Sequence, residues 1–268
     1  MIDYQLGVIG AGTMAEAILR GVLREDCLKP HEIVAYDPLD KRQQILAMDL
    51  SIMCSMDNTV PGSCPHVLLA VKPHIVPKAL KQIAEVVTNE TTVISIAAGV
   101  TTELMDKVLG GRGRLVRVMP NTPMSVGWGV SALAAGPRAT SDDIQWTQQI
   151  LAASGKTVVV EEKMLDAVTA VSGSGPAYFF YLIEAMTAAG VAEGLNKQVA
   201  ELLAVETCIG AGQLLHRTKT APATLRRQVT TPGGTTEAAL NVMKDSGVQD
   251  VLTKAVRAAA KRSRELGK

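Results

Sequence analysis

The N-terminal part of the chain alternates short apolar runs with stretches of helical periodicity. The apolar runs predict buried strands at residues 5–10, 30–37, 66–73, 92–99 and 114–119, and two shorter ones at 130–134 and 157–160. Helices are predicted at 13–24 and near 142–153. Near-continuous apolar strands separated by helices are typical of a parallel sheet covered on both faces, and we expect the two shorter strands to extend it. This part of the chain is therefore predicted to be an α/β domain.

The pattern changes after residue 162, where helical periodicity takes over. Helices are predicted at 164–190, with an interruption at 172–176, and at 197–216, 222–229, 236–245 and 248–265. We therefore predict two domains, an α/β domain at 1–162 and an all-helical domain at 163–268. Helices this rich in Ala, Gly and Leu pack closely, so the second domain has either a deep core of its own or a helical dimer interface.

A glycine-rich turn joins the first predicted strand to the first predicted helix. Its sequence is Gly10-Ala11-Gly12-Thr13-Met14-Ala15. The first glycine allows a tight turn, the second lets a pyrophosphate approach the backbone, and the final alanine lets the helix pack on the strand. Free N–H groups at the helix start would hold the phosphates. The pattern predicts a Rossmann-type doubly wound sheet that binds a dinucleotide, although a strand–helix turn without a ligand can carry the same glycines.

The second predicted strand ends in an acidic residue, Asp37. An acid at this point commonly accepts hydrogen bonds from the adenosine ribose and disfavours a 2′-phosphate, although Asp37-Pro38 is also ordinary turn chemistry. Lys41 and Arg42 follow closely and could tolerate a 2′-phosphate. We expect these two cations to lie on a solvated helix face instead. The choice between NAD and NADP therefore stays open.

Further ligand contacts are expected in the loops that follow the strands. In open α/β sheets, ligands bind beyond the carboxyl ends of the strands. The candidate loops are Gly12-Thr13-Met14, Val71-Lys72-Pro73, Ala97-Ala98-Gly99 and Pro120-Asn121-Thr122.

Two stretches of the helical half also carry candidate chemistry. Residues 172–176, Ser-Gly-Ser-Gly-Pro, are either a flexible joint between helices or a close-approach wall beside the reactive ring of the cofactor. Residues 230–236, Thr-Thr-Pro-Gly-Gly-Thr-Thr, lead into a helix. Two glycines before a helix start leave N–H groups pointing outward, which favours an anion, although a plain capped loop is the simpler interpretation.

Composition excludes several classes of function. The formal net charge is +1 and aromatic residues make up 3% of the 268, so the chain lacks the basic, stacking surface of a nucleic-acid binder. The cysteines are scattered without a Cys-x-x-Cys pair and the histidines lack metal-ligand spacing, so we expect no metal and a cytoplasmic location. The longest apolar run, at 177–183, is far shorter than the roughly 20 residues of a membrane span.

Taken in order, six motifs resemble those of the pyrroline-5-carboxylate reductase family. They are Val-Ile-Gly-Ala-Gly-Thr-Met-Ala at 8–15, Ala-Val-Lys-Pro at 70–73, Ala-Ala-Gly-Val-Thr at 97–101, Met-Pro-Asn-Thr-Pro at 119–123, Val-Ser-Gly-Ser-Gly-Pro-Ala-Tyr at 171–178 and Thr-Pro-Gly-Gly-Thr-Thr at 231–236. The resemblance spans essentially the whole chain. It implies hydride transfer from NADPH or NADH to the C=N bond of 1-pyrroline-5-carboxylate, giving L-proline in the last step of proline biosynthesis.

The same resemblance implies a quaternary structure and a set of site residues. The helical domain would form an interlocked homodimer, in some relatives assembled into a decamer, with an active site shared between subunits. The cofactor-binding residues would be Gly10, Ala11, Gly12, Thr13, Met14, Asp37, Asn58, Ala70, Val71, Lys72, Pro73, Ala97 and Asn121. The substrate-binding residues would be Thr231, Gly233, Gly234, Thr235, Thr236, Ser172 and Gly173.

Within this set, Asn58 and Asp37 would flank the adenosine ribose, and residues 233–236 would bind the substrate carboxylate through backbone N–H groups. Thr236 is the catalytic candidate, its hydroxyl directed at the ring nitrogen. Relatives often have a small polar or basic residue near position 37, which favours NADPH. The aspartate of this chain therefore predicts use of both cofactors.

Two other functions compete with this interpretation. A β-hydroxyacid dehydrogenase needs a lysine and an asparagine where this chain has Phe179 and Ile183, so an alcohol substrate would lack its proton-transfer group. A non-catalytic NAD(P)-binding or redox-sensing module would keep the first glycine turn but would have no use for the second anion loop at 231–236. A protonated imine needs no strong protein acid, which agrees with the lack of an evident acid/base pair in the sequence.

Overall fold

The computed structural model describes residues 4–267, and their contacts divide them into two compact units. The first unit comprises the residues up to 174 together with those from 259 onward, and the second comprises Gly175–Ala258. The division into functional domains at 162/163 stays a prediction.

The first unit is built on one eight-stranded sheet. Its strands are β1 (Leu6–Ile9), β2 (Ile33–Tyr36), β3 (Met53–Cys54), β4 (His66–Leu69), β5 (Thr92–Ser95), β6 (Arg114–Met119), β7 (Gly129–Ala135) and β8 (Gly155–Val159). They lie in the order β3-β2-β1-β4-β5-β6-β7-β8. All neighbouring pairs are parallel except β6 and β7, which are antiparallel. Chain order reverses at β1, between β2 and β4, and this crevice is where such sheets bind ligands.

Helices cover both faces of this sheet. They are α1 (Thr13–Arg24), α2 (Asp40–Leu50), α3 (Thr59–Gly62), α4 (Val76–Ile83), α5 (Thr102–Val108), α6 (Ser141–Ala152) and α7 (Leu165–Val168). Short 3₁₀ turns occur at Pro30–Glu32, Pro73–Ile75, Thr122–Val126 and Glu162–Met164, and a π-helical turn at Thr169–Gly173.

The central strands are buried on both sides, which explains their near-continuous apolar sequences. Successive residues of a strand face opposite sides of a sheet. Leu68 and Val116 accordingly pack into one hydrophobic cluster, whereas their neighbours Leu69 and Leu115 pack into another. The predicted doubly wound sheet is thereby confirmed, and the two short strands extend it.

The second unit is helical. Its helices are α8 (Gly175–Ala192), α9 (Lys197–Thr218), α10 (Pro222–Gln228), α11 (Thr235–Asp245) and α12 (Val248–Leu266), whose last turns belong to the first unit. Helices α8 and α9 approach closely, because a Cβ on Gly190 would lie 3.1 Å from the Cβ of Ala200. Among the described helices, none combines the length and apolarity needed to cross a membrane.

Few side chains of the second unit are buried within the chain. Helix α8 carries apolar residues all round, and Phe179, Phe180 and Tyr181 are 59%, 60% and 75% exposed. Leu202 and Leu203 of α9 are also exposed. Large apolar side chains exposed in this number are typical of a subunit interface. Of the two expectations for these helices, the structure therefore favours the interface over a deep core of their own.

Candidate active site

The glycine turn after β1 has a backbone that only glycine fits. Gly10 has φ +92°, and a Cβ at this position would lie 2.7 Å from the carbonyl oxygen of Ala70. The Gly10 N–H donates to the carbonyl of Tyr36 over 2.8 Å. The turn is thus held between the carboxyl ends of β2 and β4, so Gly10 and Ala70 lie together as predicted.

Gly12 leaves the start of α1 open to an anion. It is the N-cap residue, and a Cβ built on it would meet nothing within 4 Å. The first intrahelical bond runs from the Glu16 N–H to the Gly12 carbonyl, so the N–H groups of residues 13–15 lie outside the helical ladder. Free N–H groups at the positive end of a twelve-residue helix suit a pyrophosphate. The residues present at this turn therefore fit a dinucleotide.

Ala11, between the two glycines, has both of its peptide groups occupied. Its N–H donates to Oδ2 of Asp37 over 2.7 Å, and its carbonyl accepts from Nε of Arg42. Oδ1 of Asp37 accepts from the Leu39 N–H over 2.9 Å. Arg42 also bonds Glu16 over 2.7 Å, and its side chain is only 21% exposed. The expectation that Arg42 lies on a solvated helix face is wrong, because its guanidinium reaches back to the turn, whereas Lys41 is exposed.

Asn58 is buried at the start of α3 and is bonded to α4. Its Nδ2 donates to Oε1 of Gln82 over 2.6 Å. Its Oδ1 is enclosed and has no hydrogen-bond partner within residues 4–267. A buried carbonyl oxygen without a donor is costly, so this amide is an unusual group in the fold. The predicted contact of Asn58 with the ribose stays a prediction.

Asn121, after β6, is joined directly to the predicted stretch at 172–173. Its Nδ2 donates to the carbonyl of Ser172 over 3.2 Å, and its Oδ1 accepts from the Val130 N–H over 2.9 Å. The Ser172 carbonyl lies in the π-helical turn, which the bond from the Ser174 N–H to the Thr169 carbonyl closes over 2.8 Å. The stretch is therefore a helical turn rather than an irregular joint, and such turns are frequent at functional sites.

Glycine at position 173 lets the side chain of Met119 approach the π-helical turn closely. A Cβ on Gly173 would lie 2.5 Å from Cε of Met119.

After β4, Val71 packs beside Gly10, while Lys72 is exposed and Pro73 begins a 3₁₀ turn. After β5, Ala97 is buried, and its N–H donates to Oγ of Ser95 over 3.3 Å. The predicted cofactor residues thus all follow carboxyl ends of strands of one sheet.

The loop at 230–236 lies in the second unit and prepares the start of α11. The Gly234 N–H donates to the Thr231 carbonyl over 3.0 Å, and the first intrahelical bond joins Ala238 N–H to the Gly234 carbonyl. The N–H groups of residues 235–237 therefore remain outside the ladder. The Gly233 N–H, however, donates to Oε2 of Glu237 over 2.8 Å. Glu237 was not anticipated at this site, and its signal is an acid three residues after the N-cap, the spacing of a capping box.

The described residues contain no group of three or more His, Cys, Asp or Glu arranged to hold a metal ion. The catalytic roles of the Thr236 hydroxyl and of the backbone N–H donors stay predictions.

The sheet order and the glycine turn are typical of dinucleotide-binding domains, and one comparison gives the class of protein, the nicotinamide-dependent oxidoreductases. A family model described as "NADP oxidoreductase coenzyme F420-dependent" matches residues 5–99. A second model, "Pyrroline-5-carboxylate reductase dimerisation", matches residues 162–266. The two matches together cover the glycine turn, the π-helical turn and the loop before α11.

Similar proteins narrow the class to one family. A pyrroline-5-carboxylate reductase of Synechocystis is 41% identical over 268 residues, covering 100% of both chains. That of Arabidopsis thaliana is 38% identical, covering 98% of this chain and 96% of the relative. The solved structure of a pyrroline-5-carboxylate reductase from Coxiella burnetii has a TM-score of 0.94 at 34% identity, with 99% of each chain covered. This chain belongs to the pyrroline-5-carboxylate reductase family.

A second solved structure bears on the cofactor. The pyrroline carboxylate reductase of Plasmodium falciparum, solved with NADP bound, has a TM-score of 0.88 at 27% identity over 100% of both chains. The family, the fold class, the enzyme class and the nicotinamide cofactor predicted from the sequence are confirmed. The roles of the individual site residues stay predictions.

Proposed function

We infer that this protein reduces the C=N bond of 1-pyrroline-5-carboxylate to give L-proline. The observation that carries this inference is the 41% identity over the full length of a curated pyrroline-5-carboxylate reductase. Two helix starts open to anions, those of α1 and α11, support it, because the cofactor and the substrate each bring an anionic group.

In this proposal, α1 binds the cofactor. The N–H groups of residues 13–15 hold the pyrophosphate, and Gly12 allows it to approach the backbone. Asp37 and Asn58 flank the adenosine ribose, and residues 70–73, 97 and 121 line the path to the nicotinamide. When bound, the reduced nicotinamide supplies the hydride.

The loop before α11 binds the substrate. The free N–H groups at the helix start take the carboxylate, and the Thr236 hydroxyl orients the ring nitrogen. Because a protonated imine is already electrophilic, the protein has to position it rather than protonate it. Asn121 and the π-helical turn at 169–173 give the reacting rings a close, rigid wall.

We propose that the unit of function is a homodimer whose active site combines the sheet of one subunit with the α11 loop of its partner. The exposed apolar surface of α8 and α9 and the dimerisation model matched at 162–266 support this. Higher assembly into a decamer is a further proposal that light scattering tests.

Co-expression of two defective chains tests the shared site. One chain carries Gly12→Ala and the other Thr236→Ala, and NADPH and the imine are kept below the wild-type KM so that each variant alone has about a tenth of the wild-type rate or less. With random pairing, a shared site restores about a quarter of the wild-type sites, since half of the dimers contain one intact composite site of two. A site within one subunit restores none, and that result would contradict the proposal.

A matrix of cofactors and substrates tests the reaction itself. We expect turnover of 1-pyrroline-5-carboxylate with both NADPH and NADH. Intact nucleotide binding without any turnover would favour a non-catalytic module. An NADH/NADPH ratio of kcat/KM below about 0.01, a gap of roughly 2.7 kcal/mol, would refute the ribose role of Asp37.

We also propose a cytoplasmic location. All four thiols, Cys27, Cys54, Cys64 and Cys208, are free, and burial raises the pKa of Cys64 to about 12. Cysteines without disulfide partners are usual in a reducing compartment. Cell fractionation tests this, and recovery in an oxidising compartment would contradict it.

A further inference from the structure

We propose that Asp37 and Arg42 are positioning residues that fix the Ala11 peptide, and that Arg42 therefore strengthens the binding of NADPH and NADH equally rather than recognising a 2′-phosphate. We call the hydrogen bonds of Asp37 and Arg42 to Ala11 the Ala11 brace. The inference rests on the proposed binding of the cofactor at the turn after β1.

The brace holds the residue between the two glycines of the turn. Ala11 lies between two glycines, and glycine loses more conformational freedom on folding than any other residue. Asp37 accepts the N–H of Ala11 and Arg42 donates to its carbonyl, so the peptide groups on both sides of this residue are fixed from the β2–α2 segment. The turn that leads to the N–H groups of residues 13–15 is thereby fixed on both sides of Ala11.

The segment that carries the brace is itself held in place. The Leu39 N–H donates to the Asp37 carboxylate over 2.9 Å, and Nε2 of Gln43 donates to the Asp37 carbonyl over 2.7 Å. Asp37 is 8% exposed. The brace is therefore anchored in the sheet through β2 and does not depend on mobile surface side chains.

Arg42 already has its charge paired and its Nε and Nη2 groups hydrogen-bonded within the fold. Its Nη2 bonds Oε2 of Glu16 over 2.7 Å while its Nε is used by Ala11. Glu16 also pairs with Arg20 over 2.8 Å. Burial acts to raise the pKa of Glu16, but hydrogen bonds from Arg42 and Arg20 hold it below its ordinary value, so Glu16 stays ionised and balances Arg42.

Asp37 can support the turn and still serve the ribose. Each carboxylate oxygen has two acceptor sites, of which Oδ2 uses one for the Ala11 N–H and Oδ1 uses one for the Leu39 N–H. Substituting Asp37 would therefore disturb two roles at once. Arg42 is the cleaner position for a test, because the two interpretations of its side chain predict different cofactor dependence.

The test measures the dissociation constants of NADPH and NADH by fluorescence titration for Arg42→Ala, Arg42→Lys and the control Lys41→Ala. Lys41 is an exposed cation next to the brace in sequence. The brace predicts that Arg42→Ala binds both cofactors about tenfold more weakly, and that the factors for NADPH and NADH differ by less than about threefold. The cofactor KM should rise while kcat changes little. Lys41→Ala should bind both as the wild type does.

Arg42→Lys separates the two interpretations. Lysine keeps the positive charge, but a single ammonium cannot reproduce the guanidinium geometry between the Ala11 carbonyl and Glu16. The brace predicts that lysine leaves both cofactors weakened, whereas recognition of a 2′-phosphate predicts recovery of NADPH binding. Selective loss of NADPH in Arg42→Ala, recovery in Arg42→Lys or unchanged binding in both would overturn the proposal.

Two further measurements keep the result interpretable. Thermal unfolding checks that each variant is folded, and hydrogen exchange of the peptide covering residues 10–15 should become faster in Arg42→Ala if the turn is released. The fluorescence titrations, thermal unfolding and hydrogen exchange require no turnover, and only the comparison of KM with kcat does. Absence of pyrroline-5-carboxylate reduction would therefore contradict the proposed function without deciding the brace, and unchanged binding would contradict the brace alone.

Discussion

Gly12→Ala separates the stability of the glycine turn from its binding function. Gly12 has φ −66° and ψ 176°, which alanine adopts without strain, and its Cβ would meet nothing within 4 Å. Alanine as an N-cap costs roughly 0.5–1 kcal/mol relative to glycine. Alanine also lowers the conformational entropy of the unfolded chain, which stabilises the folded state by about 0.4–1 kcal/mol. The two terms cancel, so we expect a melting temperature within about 2 °C of the wild type.

The same methyl group should strongly weaken cofactor binding. It would occupy the space through which a pyrophosphate reaches the N–H groups of residues 13–15. Losing one charge-assisted hydrogen bond costs about 1.5–3 kcal/mol, which raises Kd about 10- to 100-fold. Calorimetric titration with NADPH and with ADP-ribose, which lacks the nicotinamide, measures this loss directly. We expect both to lose affinity by similar factors, because both carry the pyrophosphate.

Gly10→Ala provides the contrast. With φ +92° and a backbone oxygen 2.7 Å from the new Cβ, alanine is both strained and crowded at this position. We expect this variant to lose at least about 2 kcal/mol of folding free energy.

An unchanged Kd in a folded Gly12→Ala protein would refute the reasoning, because it would mean that the cofactor does not approach the turn here.

The remaining predictions concern α11 and one buried carboxylate. In Thr236→Ala, kcat/KM for the imine should fall about tenfold while the Kd of NADPH is unchanged, and an unchanged kcat/KM would leave Thr236 as a residue of the first helical turn only. Glu237→Gln should lower the substrate KM about two- to fivefold, because Glu237 competes with the substrate carboxylate for the Gly233 N–H, and an unchanged KM would exclude that competition. Burial acts to raise the pKa of Asp143, but hydrogen bonds, first that of the Thr92 hydroxyl, hold it below its ordinary value. Asp143 should thus stabilise the fold above about pH 4 and lose this effect as pH falls further, so Asp143→Asn should cost about 2–3 kcal/mol in unfolding experiments at pH 7 and progressively less as pH falls below about 4.

The fold was predictable where burial alone determines the sequence pattern. Strands such as β1 and β6 are covered on both faces, so their apolar runs mark them, and β6 occurs at Arg114–Met119 as predicted. The two-residue strand β3 leaves no such pattern, because it lies at the sheet edge and pairs with β2 alone. Strand β7 pairs antiparallel with β6, and the amino-acid composition of β7 does not indicate this direction.

The loops of the candidate site were predictable from the sequence, but the hydrogen bonds that join them were not. Sequence spacing places Ala11 and Arg42 thirty-one residues apart, and nothing local shows that the guanidinium turns toward the glycine turn. The π-helical turn at Thr169–Gly173 was likewise not predictable, because its hydrogen bond joins residues five apart instead of four. Helix propensities do not distinguish these two spacings. Glu237 is the exception, because its distance from Gly234 was a local signal that could have been read.

The apolar surface of α8 and α9 makes subunit concentration a thermodynamic variable of this protein. When association buries a surface that the isolated chain exposes, mass action contributes to the free energy of unfolding. Each tenfold dilution of a dimer whose subunits fold and associate together then removes about 1.4 kcal/mol of apparent stability. A melting temperature of this protein has meaning only together with the concentration at which it was recorded.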